Sequence, residues 1–124
     1  MIEAEEGKEQ DDFIAYVEAA LSILAKEDYT SFLSLFDGSR LTEQDIILAL
    51  RYLDETRPVL KIDNPALVKC KGQRVDLTEF HDGSGYQMDY DLSTGGEIND
   101  VTIQIEFLKK EEGYFVVLDD LHSL

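Results

Sequence analysis

Two histidines, one cysteine and an uneven scatter of carboxylates are the side chains in this chain that could do chemistry. His81 precedes Asp82 in "FHDGS", and His122 follows Asp119 and Asp120 in "LDDLHSL". Histidine is the ready proton acceptor near neutral pH, so a His–Asp dyad would be a general base. Adjacent residues on a strand face opposite sides, however, so His81 and Asp82 cannot pair on one strand face, and structural roles are expected for both histidines. Cys70 sits between Lys69 and Lys71, whose ammonium groups would lower a thiol's pKa. Alternation would turn the lysines outward and put Cys70 inside beside Val68, as a small hydrophobe rather than a nucleophile.

A calcium loop is the next chemistry the spacing suggests. "DYDLSTGGEIND" places Asp89, Asp91, Ser93, Gly95, Glu97 and Asp100 at EF-hand positions one, three, five, seven, nine and twelve. Thr94 stands where the loop needs Gly, Asp100 replaces the bidentate Glu, and the flanks read as strands rather than helices. A hairpin is expected here, with no metal and no cofactor.

The strongest pattern is "YQMDYDL", residues 86–92. Tyr86, Met88, Tyr90 and Leu92 alternate with Gln87, Asp89 and Asp91, which describes a strand with one dry and one wet face. No Lys or Arg occurs between Arg74 and Lys109, an interval holding eight carboxylates. The outward positions on the expected strands include Asp76, Asp89, Asp91 and Glu106, on neighbours about 5 Å apart. Together with Glu97 and Asp100 they make a carboxylate field with no counter-cation of its own, the expected binding surface for a basic partner. Residues 58–74 hold four basic side chains and one acidic one, so charge is segregated along the chain.

These residues must be positioned by a small fold. The chain has 124 residues, 44% of them hydrophobic, enough for one core and one domain. Residues 1–12, with six acidic side chains and one Lys, are expected to be a disordered acidic tail, and 13–124 a single domain. The net charge of −16 repels nucleic acid and anionic lipid. No apolar run is long enough to span a membrane, and the lone cysteine fits a reducing compartment, so a cytoplasmic protein is expected.

Phe13, Val17, Ala20, Leu21 and Leu24 recur at helical spacing, capped from Asp11 or Asp12. A short second helix fits "YTSFLSLF". A third opens at Thr42, with Asp45 at capping-box spacing, and would bury Ile46, Leu50 and Leu53 before Pro58 stops it. After Pro58 the period becomes two. "ALVKCK" and "RVDLTEF" are expected to form a hairpin about Gly72-Gln73 as a type II′ turn. "YQMDYDL", "VTIQIEFL" and "YFVVLDDLHSL" complete a five-strand antiparallel meander, with "YFVVL" apolar on both faces and therefore central. The expected class is α+β, two or three helices on one face of a curved sheet.

The element order resembles the cone-shaped nuclear transport factor two-like superfamily, "AKEDYTSFLSLFD" standing for its early helix pair and "GYFVVLDDLHSL" for its last strand. The ending is also similar to that of small bacterial proteins that close on an acidic strand and a "DLH-x-L" tail, matched here by Asp119, Asp120, Leu121, His122 and Leu124. Small acidic α+β proteins of this kind look like immunity proteins, which neutralise secreted toxins, many of them basic nucleases. That resemblance implies a non-enzymatic inhibitor whose acidic sheet mimics phosphate. The competing reading is a small-molecule-binding or enzymatic cone, its apolar pocket lined by His81, Tyr86, Tyr90, Tyr114 and His122. A third is a homo-oligomer joined through the edge of "ALVKCK".

Overall fold

The computed structural model describes residues 1–123 and gives an α+β fold, in which a curved five-stranded sheet carries three helices on one face and is not closed into a barrel. Helix α1 spans Glu9–Leu24, α2 Tyr29–Ser34 and α3 Glu43–Ala49. The strands are β1 Gly38–Ser39, β2 Val75–Glu79, β3 Gly85–Thr94, β4 Glu97–Lys110 and β5 Gly113–Ser123, in spatial order β1-β5-β4-β3-β2. β2 to β5 form an antiparallel meander, and β1 adds two residues in parallel to β5. No helix among the described residues is long and apolar enough to cross a membrane.

The helical periodicity reads through directly. Phe13, Val17, Ala20, Leu21 and Leu24 are all buried on α1. Phe13 stacks on Phe107 with ring centroids 4.0 Å apart and meets Tyr86 and Tyr114 edge-on. At α3 the Thr42 hydroxyl accepts from the Asp45 amide while Asp45 accepts from the Thr42 amide, so Asp serves in the capping box as Glu or Gln would. Asp28 caps α2 by accepting from the Ser31 amide.

Four expectations need correction. First, α3 ends at Ala49, well before Pro58. Tyr52 and Leu53 take left-handed φ values of 53° and 60°, the chain reverses, and the Leu60 amide bonds back to the Leu50 carbonyl. Leu53 is therefore 71% exposed instead of buried. Second, "ALVKCK" is no strand. The Asn64 carbonyl accepts from the Leu67 and Val68 amides, making a turn where the strand should start, and Lys69 is drawn to Glu18 at 2.9 Å. The turn that follows closes from the Gln73 amide to the Cys70 carbonyl, with Gly72 third at φ 81°, a position suited to a type II turn and one residue out of step with the expected hairpin. Cys70 is only partly buried. The sheet edge on this side is β2, so the self-association reading loses its strand.

Third, the acidic N-terminal segment is not a free tail. Helix α1 starts at Glu9, and Ile2 exchanges backbone hydrogen bonds with Tyr114 at 2.9 and 2.7 Å. Gly113, at φ 144°, permits this approach, since a Cβ there would lie 2.4 Å from the Ile2 carbonyl oxygen. Fourth, β4 and not β5 is the central strand, and β5 is fully buried on one face only. Val116, Leu118 and Leu121 are buried, while Phe115 and Val117 on the other face are half-buried. Its outer edge meets Ile2 at Tyr114 and then β1 and its flanks, where the Asp37 amide donates to the Val116 carbonyl and the Arg40 amide to that of Leu118.

Candidate functional site

Away from Leu108, Phe115 and Val117, the face of the sheet opposite the helices is polar and in register. Asp76 on β2 lies opposite Asp89 on β3, Asp89 opposite Gln104 on β4, and Gln104 opposite Asp120 on β5. One rung along, Asp91 faces Thr102 and Thr102 faces His122; in the other direction Gln87 faces Glu106. The inward partners Met88, Tyr90, Leu92, Ile103, Ile105 and Phe107 are all buried, so period two sets both faces at once.

On β5 the strict period breaks. Ile105 pairs with Leu118 but Gln104 with Asp120, leaving Asp119 as the extra residue of a bulge. The bulge lets Asp119 reach Arg40 while Asp120 stays in the rung beside Gln104.

The field has counter-cations after all, which corrects the expectation drawn from the run between Arg74 and Lys109. Arg74 lies within 3.3 Å of Asp76, 3.6 Å of Asp89 and 3.2 Å of Asp91. Its guanidinium is held further above its ordinary pKa, first by the hydrogen bond to Asp91 and then by that residue's charge. Arg40, held to the β5 edge through its amide, pairs with Asp119 and lies 3.0 Å from Glu106. The carboxylates are also bonded to neutral partners: Asp91 accepts from the Thr102 hydroxyl at 2.8 Å, and Asp89 from the Gln104 and Gln87 side-chain amides. Asp76, Asp89, Asp91, Glu106 and Asp119 therefore share two guanidiniums, Asp120 lies beside His122, and the face stays acidic.

Of the sequence-predicted binding residues, Asp76, Asp89, Asp91 and Glu106 come together here. Glu97 and Asp100 do not. They stand exposed at the β3–β4 turn, beyond a second bulge between Asp91 and Ser93, with Asp100 at φ 65°. That turn is held instead by Asp63, which accepts from the Ser93 hydroxyl and the Gly95 and Gly96 amides at 2.8–2.9 Å. Burial pushes Asp63 up, but the Gly96 amide, Ser93 and the Gly95 amide outweigh it and hold the carboxyl below its ordinary range. The EF-hand spacing thus lies on an antiparallel hairpin, with Asp89 and Asp91 spent on the sheet face.

The pocket expected of a cone is not assembled. His81 is exposed in the β2–β3 turn, where its neighbour Asp82 accepts from the Ser84 amide. Tyr90 is buried and donates to Glu18 at 2.6 Å. Tyr86 and Tyr114 do meet, with centroids 6.2 Å apart. His122 is elsewhere, its Nδ1 3.1 Å from Asp120 Oδ2, beside a cleft of 190 Å³ shared with Ala49 and Leu53. Leu124, the last residue of the matched tail, lies outside the described residues.

Sequence reasoning missed Arg40, Arg74 and Asp119 as members of this face. The doublet Asp119-Asp120 after an apolar run was the available signal for the bulge, whereas nothing local to "DGSR" announces where Arg40 lands. In comparisons with known proteins, no family model, curated protein or solved structure matches the chain.

Proposed function

We propose that this is a non-enzymatic binding protein that uses the open sheet face to occlude a basic protein partner, in the manner of a bacterial immunity protein set against a cationic toxin domain. The supporting observation is that five carboxylates on four adjacent strands share, among the described residues, only Arg40 and Arg74, with Asp120 a sixth beside them. Within a Debye length of about 10 Å such a cluster attracts cations cooperatively and accelerates encounter with a basic surface. The rungs are held in place by strand pairing on either side of the two bulges and by fully packed inward neighbours. A partner's Arg or Lys would displace or share the two native guanidiniums.

Photo-cross-linking from a reactive residue placed at Gln87 identifies the partner, and calorimetry then measures its affinity at low and high salt. A basic partner is expected, bound at least about tenfold more weakly by Asp89→Asn/Asp91→Asn at low salt, with the difference shrinking as salt rises. A neutral or acidic partner, or an affinity indifferent to both salt and the substitutions, would overturn the reading.

One observation favours a second reading, a small-molecule or enzymatic site: the His122–Asp120 pair borders a cleft. His122→Gln separates the two, since it abolishes such an activity and leaves a salt-dependent protein interaction in place.

A further inference from the structure

On the opposite side of the sheet from the acidic rungs, the N-terminal segment and the β4–β5 turn enclose a cleft of 620 Å³. Its walls hold the rings of Tyr86 and Tyr114, inclined at 53° to one another, with Phe13 edge-on behind both. Around the rings stand Glu3, Glu6, Glu9, Glu111 and Glu112, none of which has an ion-pair partner among the described residues. Lys109 and Lys110 are exposed at the rim.

Tyr114 is the second, separate indication. Its side chain is buried, with the residue only 8% exposed, yet its hydroxyl makes no hydrogen bond among the described residues; nor does that of Tyr86. The ring is packed while the oxygen remains accessible at the cleft and without a protein partner, so it is free to bond a ligand. Burial, and after it the charges of Glu9, Glu79 and Glu6, push the Tyr114 phenol up. Two ring faces, two phenol oxygens free to accept, and surplus negative charge are the complement of one chemical group. A cation with N–H donors on an apolar stem satisfies all three, through cation–π attraction, hydrogen bonds and ion pairing.

We propose that the cleft between the N-terminal segment and the β4–β5 turn is a binding site for an alkylammonium group, such as a lysine side chain or a free diamine. It stands on its own geometry and does not require the sheet face to bind anything.

The test is an NMR titration of the whole chain with Nα-acetyl-lysine methylamide, with putrescine, and with Nα-acetyl-glutamate methylamide as the anionic control. Saturable shifts are expected at the Gly113 and Tyr114 amides and the Tyr86 ring, with none at Asp89 or Asp91 and none from the control. Tighter binding of the lysine derivative assigns a protein side chain as the natural ligand; tighter binding of putrescine assigns a free amine. Tyr86→Leu should weaken binding about two- to fivefold, while Tyr86→Phe, which keeps the ring, loses less. Tyr114→Phe and Glu9→Gln should each weaken it as well, with melting curves confirming that the variants fold. Shifts spread evenly over the acidic surface, no saturable shift, or binding that survives Tyr86→Leu and Tyr114→Phe would overturn the proposal.

Discussion

Arg74 and Asp91 are 17 residues apart, and the guanidinium Nη2 lies 3.2 Å from the Asp91 carboxylate. The Gln73 side chain reaches the Asp91 carbonyl, and the Asp91 amide donates to the Arg74 carbonyl at 3.0 Å, so backbone and side chain hold the same junction. The last residue of the basic segment thus becomes the counter-ion of the acidic one.

Removing that counter-ion should trade stability for attraction. Arg74→Gln leaves Asp76, Asp89 and Asp91 unneutralised, so the thermal midpoint should fall. Affinity for a basic protein probe should rise about two- to threefold at low salt and converge with the parent at high salt. Equal affinities at low salt would show that Arg74 does not shield the face.

Tyr90 carries an alkaline signature. Burial, then the hydrogen bond and charge of Glu18, hold its phenol protonated well above the ordinary 10.0. The folded state then keeps a proton that the unfolded chain sheds above about pH 10, so this contribution is constant at lower pH and is lost as pH rises from there toward the folded value. Tyr90→Phe should cost about 1–3 kcal/mol at pH 7, because the Glu18 bond goes, and should flatten the alkaline loss. Urea denaturation between neutral and strongly alkaline pH measures both, and a parallel pair of curves would refute the assignment.

Asp63 should act at the other end of the scale. Its carboxyl is held below the ordinary 3.8, so the stability it adds is present above that value and is lost as pH falls through the folded one. Asp63→Ala removes three accepted hydrogen bonds and should cost about 2–3 kcal/mol at pH 7. It should also lessen the acid dependence. The β3–β4 turn loses its anchor, so hydrogen exchange at Gly95 and Gly96 should accelerate more than at Ile103.

What was legible in the sequence was what short-range periodicity decides. Phe13 to Leu24 gave α1, Thr42 and Asp45 gave the start of α3, and Tyr86 to Leu92 gave both faces of β3, because each depends only on neighbours within a turn or a pleat. Residues 50–73 were misread because their course depends on distant partners: Tyr52 donates to the Asn99 carbonyl, Lys69 to Glu18, and Asp63 anchors the β3–β4 turn. The alternation in "ALVKCK" was too short to outweigh those contacts. The acidic face was visible on β3 and β4, where spacing is regular. Its charge balance was not, since Arg40 arrives through β1 at the far edge and Asp119 through a bulge.

The sharpest consequence falls on Asp89 and Asp91. Read as carboxylates in a repulsive field, they should be removable with no loss of stability. In the fold, Asp91 accepts from Thr102 and Arg74, and Asp89 from Gln104 and Gln87 with Arg74 3.6 Å away. Asn at both positions keeps one acceptor oxygen but turns an amide N–H toward a guanidinium. Asp89→Asn/Asp91→Asn should therefore cost about 1–2 kcal/mol in chemical denaturation. If Arg74 carries that cost, the same pair introduced beside Arg74→Gln should cost measurably less, since the cationic partner has already gone. Stabilities of the parent, the double variant, Arg74→Gln and the triple variant close the cycle. Strict additivity would place the cost in the Thr102 and Gln104 bonds alone and would leave the two carboxylates energetically free to receive a partner's cations.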